Sequence, residues 1–152
     1  MKIIFLDFDG VLNSLEYARK TIQVGDPCTT YDLDPVAGAR LKKLVDLSGA
    51  KIVVSSTWRI TRSLEGLRSC LGAFHMWPSD VIGVTPRMNA DRGYEIQAWL
   101  DDWKGPQIDS YVIIDDSNDM AHLLPRLVRT NWKTGFLNEH VDMALEMLNE
   151  PV

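Results

Sequence analysis

Apolar residues fall along this chain either in short unbroken runs or in stripes of helical period, and the two kinds alternate. Lys2–Asp7 (KIIFLD), Lys51–Ser55 (KIVVS), Val81–Thr85 and Tyr111–Ile114 (YVII) are runs rich in β-branched residues, with Leu127–Arg129 as a shorter fifth. Continuous apolar runs of this length predict strands buried on both faces, as in a parallel sheet. Between them lie helix signals. Asp34 followed by Pro35 reads as an N-cap with Pro at the first helical position. Leu41, Leu44, Val45 and Ser48 then share a face, and Gly49 ends it. Leu64, Leu67 and Leu71 predict a helix over Thr61–Leu71, and a further helix is expected from Asp91 to about Trp103. Ser117–Leu124 reads as a short helix stopped by Pro125. Val141, Ala144, Leu145 and Leu148 form a closing amphipathic stripe. Asn13–Asp32 has no clear period and is expected to be a loop or small flap. The alternation predicts an α/β fold, a Rossmann-like three-layer sandwich around a mostly parallel five-stranded sheet. No linker divides the chain, so one domain over residues 1–152 is expected.

Composition narrows the function classes. An apolar content of 45% and a charged content of 24% are ordinary for a globular protein. The net charge of -5 argues against a protein that holds nucleic acid by overall charge alone, and it suits carboxylates gathered around a divalent cation. Cys28 and Cys70 lack metal-type spacing and fit a reducing compartment. Asp7 and Asp9 interrupt the first apolar run too early for a signal peptide, and no run approaches a membrane span. A soluble, cytoplasmic protein is the expectation.

The chemistry lies where the strands stop. Asp7 closes the first run and Asp9 follows. Ser55 and Ser56 close the second, and Asp115 and Asp116 close the fourth, with Asp119 beyond. Each piece alone is commonplace, since Asp, Gly and Ser are frequent turn and cap residues. Parallel strands, however, deliver such ends to a single edge of the sheet. Clustered carboxylates repel unless a cation lies between them, and oxygen-only ligands favour Mg²⁺. An Asp held against a phosphate can attack phosphorus, and a second Asp nearby can move the proton of the leaving oxygen.

FLDFDGVLNS (Phe5–Ser14), IVVSSTWR (Ile52–Arg59) and VIIDDSND (Val112–Asp119) resemble, in order and spacing, the first, second and fourth motifs of the haloacid dehalogenase-like (HAD) superfamily. The resemblance covers essentially the whole chain. It implies Asp7 as nucleophile, Asp9 as general acid/base and Ser55 as hydrogen-bond donor to the transferring phosphoryl group. It further implies Mg²⁺ held by Asp7, by the backbone carbonyl of Asp9 and by Asp116, with Asp115 assisting or exchanging roles with Asp116. The third-motif cation would be Arg92, with Arg87 and Lys104 as alternatives. The fourth motif departs from the common GDxxxD, which gives Asp119 a supporting role. SSTWR, VIGVTP, RGYEIQAWL and VIIDDSNDM are similar to the small branch of HAD domains found with RNA-repair proteins, related to the phosphatase half of polynucleotide kinase-phosphatases.

The gaps between motifs leave room for at most a flap, so a capless or minimally capped core with an open site is expected. Such a site admits a phosphate on a bulky molecule, such as a nucleic-acid end or a nucleotide. Ser56, Trp58 and Arg59, with Arg62, are expected to contact substrate, and Tyr17 and Trp77 to contribute. His75, His122 and His140 have no ligand spacing. Three readings compete: a phosphohydrolase acting on nucleotides or nucleic-acid ends, the same chemistry on small phosphate esters such as sugar phosphates, and a non-catalytic binding module. The full set of Asp7, Asp9, Ser55, a basic residue and Asp116 favours an enzyme, and Asp9 favours a phosphatase over a dehalogenase.

Overall fold

The computed structural model of the chain describes residues 1–23 and 33–152. Five strands, β1 (Lys2–Leu6), β2 (Lys51–Val54), β3 (Val81–Val84), β4 (Ser110–Asp115) and β5 (Leu127–Arg129), pair in parallel in the order β3-β2-β1-β4-β5. The expected runs are therefore the strands. The sheet is wholly parallel.

Alternation along each strand builds two cores. Ile4, Leu6, Ile52, Val54, Val112 and Ile114 face one side. There they meet Leu41 and Leu44 of α2 (Pro35–Ser48), Leu67 and Leu71 of α4 (Leu64–Gly72), and Ala144 and Leu148 of α6 (Asn138–Asn149). Ile3, Phe5, Val53, Tyr111 and Ile113 face the other. They are covered by Ile96 and Trp99 of α5 (Arg92–Asp102), by Met120, and by Leu123 of a 3₁₀ segment, Ala121–Arg126. The Trp99 ring stands edge-on to Phe5 at 5.4 Å. Each fully buried aliphatic side chain contributes roughly 1.5–3 kcal/mol relative to exposure, so both helical layers are held firmly to the sheet.

The helix ends follow local chemistry. Asp34 accepts the Val36 N–H at 2.8 Å as N-cap of α2, and Gly49 ends that helix in the left-handed region at φ 66°. Three elements differ from expectation. Within the expected loop, Leu15–Gln23 forms helix α1, and the Ser14 hydroxyl accepts the Tyr17 N–H at 3.1 Å. Residues 24–32, which include Cys28, lie outside the described residues. The helix expected over Thr61–Leu71 is two helices, α3 (Trp58–Thr61) and α4. They separate at Arg62, which is extended at φ -126°, and Ser63 caps α4 by accepting the Gly66 N–H. The expected Ser117–Leu124 helix is displaced to the 3₁₀ segment, because the Asp115 carboxylate takes the Ser117 N–H at 2.9 Å and turns the chain there. No helix among the described residues is long and apolar enough to cross a membrane.

The connection from β1 runs to β2 and β3 on one side, and β4 and β5 lie on the other. Strand order thus reverses between β1 and β4. In open parallel sheets a ligand crevice forms at the carboxyl ends of such a pair. Asp7 and Asp115–Asp116 occupy those two ends.

Candidate active site

Asp7 follows β1, its N–H bonded to the Ile114 carbonyl at 3.0 Å, which extends the β1–β4 ladder by one residue. Its side chain is only 7% exposed. Burial pushes its pKa up. The Arg92 guanidinium and hydrogen bonds from the Ser56 hydroxyl and the Phe8 N–H pull the other way. Arg92 Nη1 stands 3.0 Å from Asp7 Oδ2 and 2.5 Å from Asp115 Oδ2, so one cation bridges the tips of β1 and β4. Burial opposes charge on Arg92, but Asp7 and Asp115 outweigh it and raise its pKa above the ordinary value.

Asp115 is fully buried. Burial and the neighbouring Asp7 charge, against Arg92 and the Ser117 N–H, push its pKa up to about 7. Asp116 is half-buried, and burial raises its pKa as well. Gly10 makes room for it. Gly10 has φ 74°, and a Cβ there would lie 2.3 Å from Asp116 Oδ2. Any side chain at position 10 would strain the turn and strike the carboxylate.

Among the described residues, Asp7, Asp115 and Asp116 each offer a carboxylate oxygen within 4.8 Å of the others. Such a set fits a hard divalent cation on three grounds. All donors are oxygen, burial raises the pKa of each group so that a bound cation would relieve the cost of its charge, and the Gly10 backbone is shaped around Asp116.

Asp9 lies at the exposed mouth of the turn. Asn13 Nδ2 donates to its Oδ1 at 2.8 Å and the Trp58 indole N–H to its Oδ2 at 3.1 Å. Trp58 is itself 6% exposed, set edge-on to Phe8 at 5.0 Å with the Arg62 guanidinium 4.3 Å from its ring centroid. The indole that sequence reasoning placed as a substrate-stacking face is therefore packed on both sides and holds Asp9 instead.

Arg59 is likewise turned inward. Its guanidinium donates to the carbonyls of Ser55 (2.6 Å), Ser56 (2.9 Å), Thr85 (2.9 Å) and Pro86 (3.2 Å), and it pairs with Glu95 of α5. The side chain is 4% exposed. It ties the loops after β2 and β3 to α5, so its expected place at the entrance is corrected. The cause is its position in α3, whose first turn lies under the loop ends. Glu95, in the first turn of α5, is buried together with Arg59 as its partner.

The hydroxyl beside Asp7 also differs by one residue from the expectation. Ser56, at the bend beyond β2, brings its hydroxyl near enough to Asp7 to draw the carboxyl pKa down, and it accepts the Trp58 N–H at 3.3 Å. The Ser55 hydroxyl is buried without a hydrogen-bond partner, as is that of Thr85, which follows β3 as Ser55 follows β2. The backbone bends after β2, and strand alternation no longer decides which residue points at the site.

Arg92 is placed by a close approach. Gly93 N–H bonds the Asp119 carbonyl at 3.0 Å, and a Cβ on Gly93 would lie 2.1 Å from the Met120 carbonyl oxygen. Asp119 accepts the Arg92 N–H at 3.4 Å. Partial burial raises the Asp119 pKa, but its hydrogen bonds from Ser117 and Arg92 outweigh that and hold it low. Asp119 thus fastens the β4 loop to the start of α5. Of the alternative cations, Lys104 lies beyond the far end of α5, 80% exposed near Asp102. Arg87 is exposed and shares a cavity of about 300 Å³ with Arg92 and Asp119. Trp77 precedes β3, at the amino edge of the sheet opposite the site. Tyr17 is half-buried on α1, lining a separate cleft with Lys20 and Arg40.

Known proteins share this fold. Two solved structures of the HAD domain of effector protein Lem4 from Legionella pneumophila resemble this fold, each with a TM-score of 0.57. The first is 16% identical, covering 97% of this chain and 95% of that one. The second, an inactive mutant, is 15% identical, covering 97% and 94%. At such identity the likeness shows the fold alone. No curated protein matches the chain. Residues 3–141 match the family described as the HAD domain in Swiss Army Knife RNA repair proteins. The match takes in both strand tips and the arginine between them, and the chain belongs to that family of HAD domains.

Proposed function

We propose that this chain is a Mg²⁺-dependent phosphomonoesterase, acting as one unit over residues 1–152, which passes a phosphoryl group through Asp7 to water. The observation that carries this reading is the Asp7 carboxylate. It sits at the switch point within 4.8 Å of Asp115 and Asp116 oxygens, with Arg92 at 3.0 Å and the Ser56 hydroxyl close by. Asp7 attacks phosphorus, and the bond to the leaving oxygen breaks. Asp9 supplies the proton that oxygen needs. Water then attacks the aspartyl-phosphate, Asp9 takes its proton, and inorganic phosphate leaves with Asp7 restored. Trp58 and Asn13 hold Asp9 in place for both steps. Arg92 and Ser56 meet the phosphoryl oxygens as charge builds on them. A bound Mg²⁺, held by Asp7 and Asp116 and by the Asp9 carbonyl, would neutralise phosphate charge. Asp116 suits direct ligation better than Asp115, because Asp115 is already paired with Arg92.

The substrate class we infer is a nucleotide or a nucleic-acid terminal phosphate. The family's occurrence in RNA repair proteins supports it. The test is a panel of 3′- and 5′-phosphorylated oligonucleotides set against mononucleotides and sugar phosphates. The expected outcome is the highest kcat/KM on an oligonucleotide end. A clear preference for sugar phosphates would overturn the substrate reading, and no turnover of any ester would favour a binding module.

Metal dependence has a pH signature. Asp115 has a folded pKa near 7 and an ordinary value of 3.8. The folded state therefore holds this proton more tightly than the unfolded chain. Its stabilising contribution is full below about pH 4 and is lost as pH rises towards 7. A divalent cation held by Asp7 and Asp116 beside it would favour the ionised form of Asp115 and so oppose that proton. Thermal melts are expected to show little stabilisation by Mg²⁺ at pH 5 and more at pH 8. With Mg²⁺ at a hundred times its Kd the gain is about 2.7 kcal/mol, or roughly 5–10 °C for a chain of this size. Equal shifts at both pH values, or none, would count against the carboxylates as metal ligands.

A further inference from the structure

Beyond Asp116 the active site opens into a second cleft, of about 620 Å³, between the end of β5 and the start of α6. A volume of this size lies within the roughly 300–1,000 Å³ typical of ligand sites. Arg129, Trp132 and Lys133 line it. Trp132 is 52% exposed at a site where indole would ordinarily be covered. Lys133 Nζ stands 5.6 Å from its ring centroid.

This tryptophan is not carried on a loose loop. Asn131–Gly135 is a tight turn, with Gly135 N–H on the Asn131 carbonyl at 2.7 Å and Gly135 at φ 73°. The carbonyls of Trp132 and Lys133 accept the Leu15 and Glu16 N–H groups at 3.1 and 3.0 Å, which seats the turn on the start of α1. The turn is also tied to the catalytic loop. Thr130 Oγ1 donates to the Gly10 carbonyl at 2.8 Å, and Phe136 N–H to the Val11 carbonyl at 2.9 Å. Arg129 Nε donates to the Asp116 carbonyl at 3.0 Å. The backbone of the turn is therefore tied to the loop that carries Asp7–Asp116, and an aromatic on an anchored turn loses less entropy on binding than one on a free loop.

We propose that this cleft is the subsite for the nucleotide next to the terminal phosphate, with its base stacked on Trp132 and its backbone phosphate met by Lys133 and Arg129. The ligand class is single-stranded polynucleotide. A flat indole beside two cations matches a chain that alternates π-faces and negative charge. Glu139 also lines the cleft and would repel a phosphate, which favours a path along Arg129 and Lys133. Local cations thereby supply what the overall charge of -5 does not. The inference rests on the phosphatase reading only for the position of the scissile phosphate.

The test measures the Kd of the Asp7→Asn protein for a short labelled oligonucleotide bearing a terminal phosphate, by fluorescence anisotropy with Mg²⁺ present. Trp132→Ala is expected to raise Kd about tenfold, within the range of a lost base–aromatic stack, and Trp132→Phe to recover part of it. Lys133→Ala is expected to reduce the slope of log Kd against log salt by about 0.7. Trp77→Ala, an exposed indole at the opposite edge, is expected to change neither. In the catalytic protein, Trp132→Ala should lower the ratio of kcat/KM for the oligonucleotide over that for an aryl phosphate by a similar factor. An unchanged Kd in Trp132→Ala with an unchanged melting temperature would overturn the subsite. Aryl phosphate turnover without oligonucleotide binding would overturn it while leaving the phosphatase reading intact. Trp132-dependent binding in a protein that hydrolyses no ester would support the subsite and sink the phosphatase.

Discussion

Asp7→Asn is expected to lower turnover of an aryl phosphate by about four orders of magnitude or more while leaving the fold intact. The expectation is large because no neighbour can replace the nucleophile. Asp115 is fully buried and bonded to Arg92. Asp116 is packed against the Gly10 backbone, and Asp9 is held outward by Asn13 and Trp58. Asn is nearly the same shape as Asp, and it removes one of three crowded negative charges. The thermal midpoint of the metal-free variant is therefore expected to hold or rise. Asp9→Asn should differ in kind: attack on phosphorus is impaired least for good leaving groups, and the phosphoenzyme should accumulate because its hydrolysis lacks a base. Full activity in Asp7→Asn would end the mechanism.

Arg92→Gln is expected to be costly twice over. Arg92 is the cation between Asp7 and Asp115, and its removal leaves two buried carboxylates without their partner. Breaking such a buried pair costs on the order of 3 kcal/mol, which for a chain of this size is roughly 6–12 °C of melting temperature. The loss should grow as pH rises. Without Arg92 the folded pKa of Asp115 moves further up, so the variant's stability keeps falling above pH 7, where the contribution of this group in the unaltered protein has levelled off. Mg²⁺ should restore part of it. Turnover is expected to fall by two to three orders of magnitude, the scale of losing one preorganised charge at the transferring group. Arg87→Gln is the comparison, since Arg87 lines the same cavity but is exposed. Equal effects from the two variants would remove Arg92 from its place in the mechanism.

The sheet and the acidic tips were legible because buried parallel strands are written as contiguous runs. KIIFLD and YVIIDD carry both the strand and the point where it stops being apolar. Arg92 was legible as the first residue of an Asp-initiated helix, and the structure brings it to Asp7 and Asp115. Side-chain direction in the short connections was not legible. IVVSSTWR has two serines at a bend, and only coordinates show that Ser56 faces Asp7. The same turn sends Trp58 and Arg59 inward, where the sequence pattern of an aromatic beside a cation had read as an exposed binding edge. Helix α1 was missed although Ser14 as cap, with Leu15 and Ala18 one turn apart, carried its signal. Trp132 was missed for a different reason. A lone tryptophan in a polar loop has no pattern, and only the fold shows that it lines one cleft with Asp116.

The most direct measurement is the mass of acid-quenched Asp9→Asn protein after mixing with an aryl phosphate and Mg²⁺. A covalent phosphoryl group on the peptide containing Asp7, labile to hydroxylamine and missing when Asp7 is also replaced by Asn, is the expected result. Turnover by the unaltered protein with no such adduct in the Asp9→Asn variant, or a phosphoryl group found on another residue, would show that Asp7 is not the group that takes the phosphoryl from the substrate.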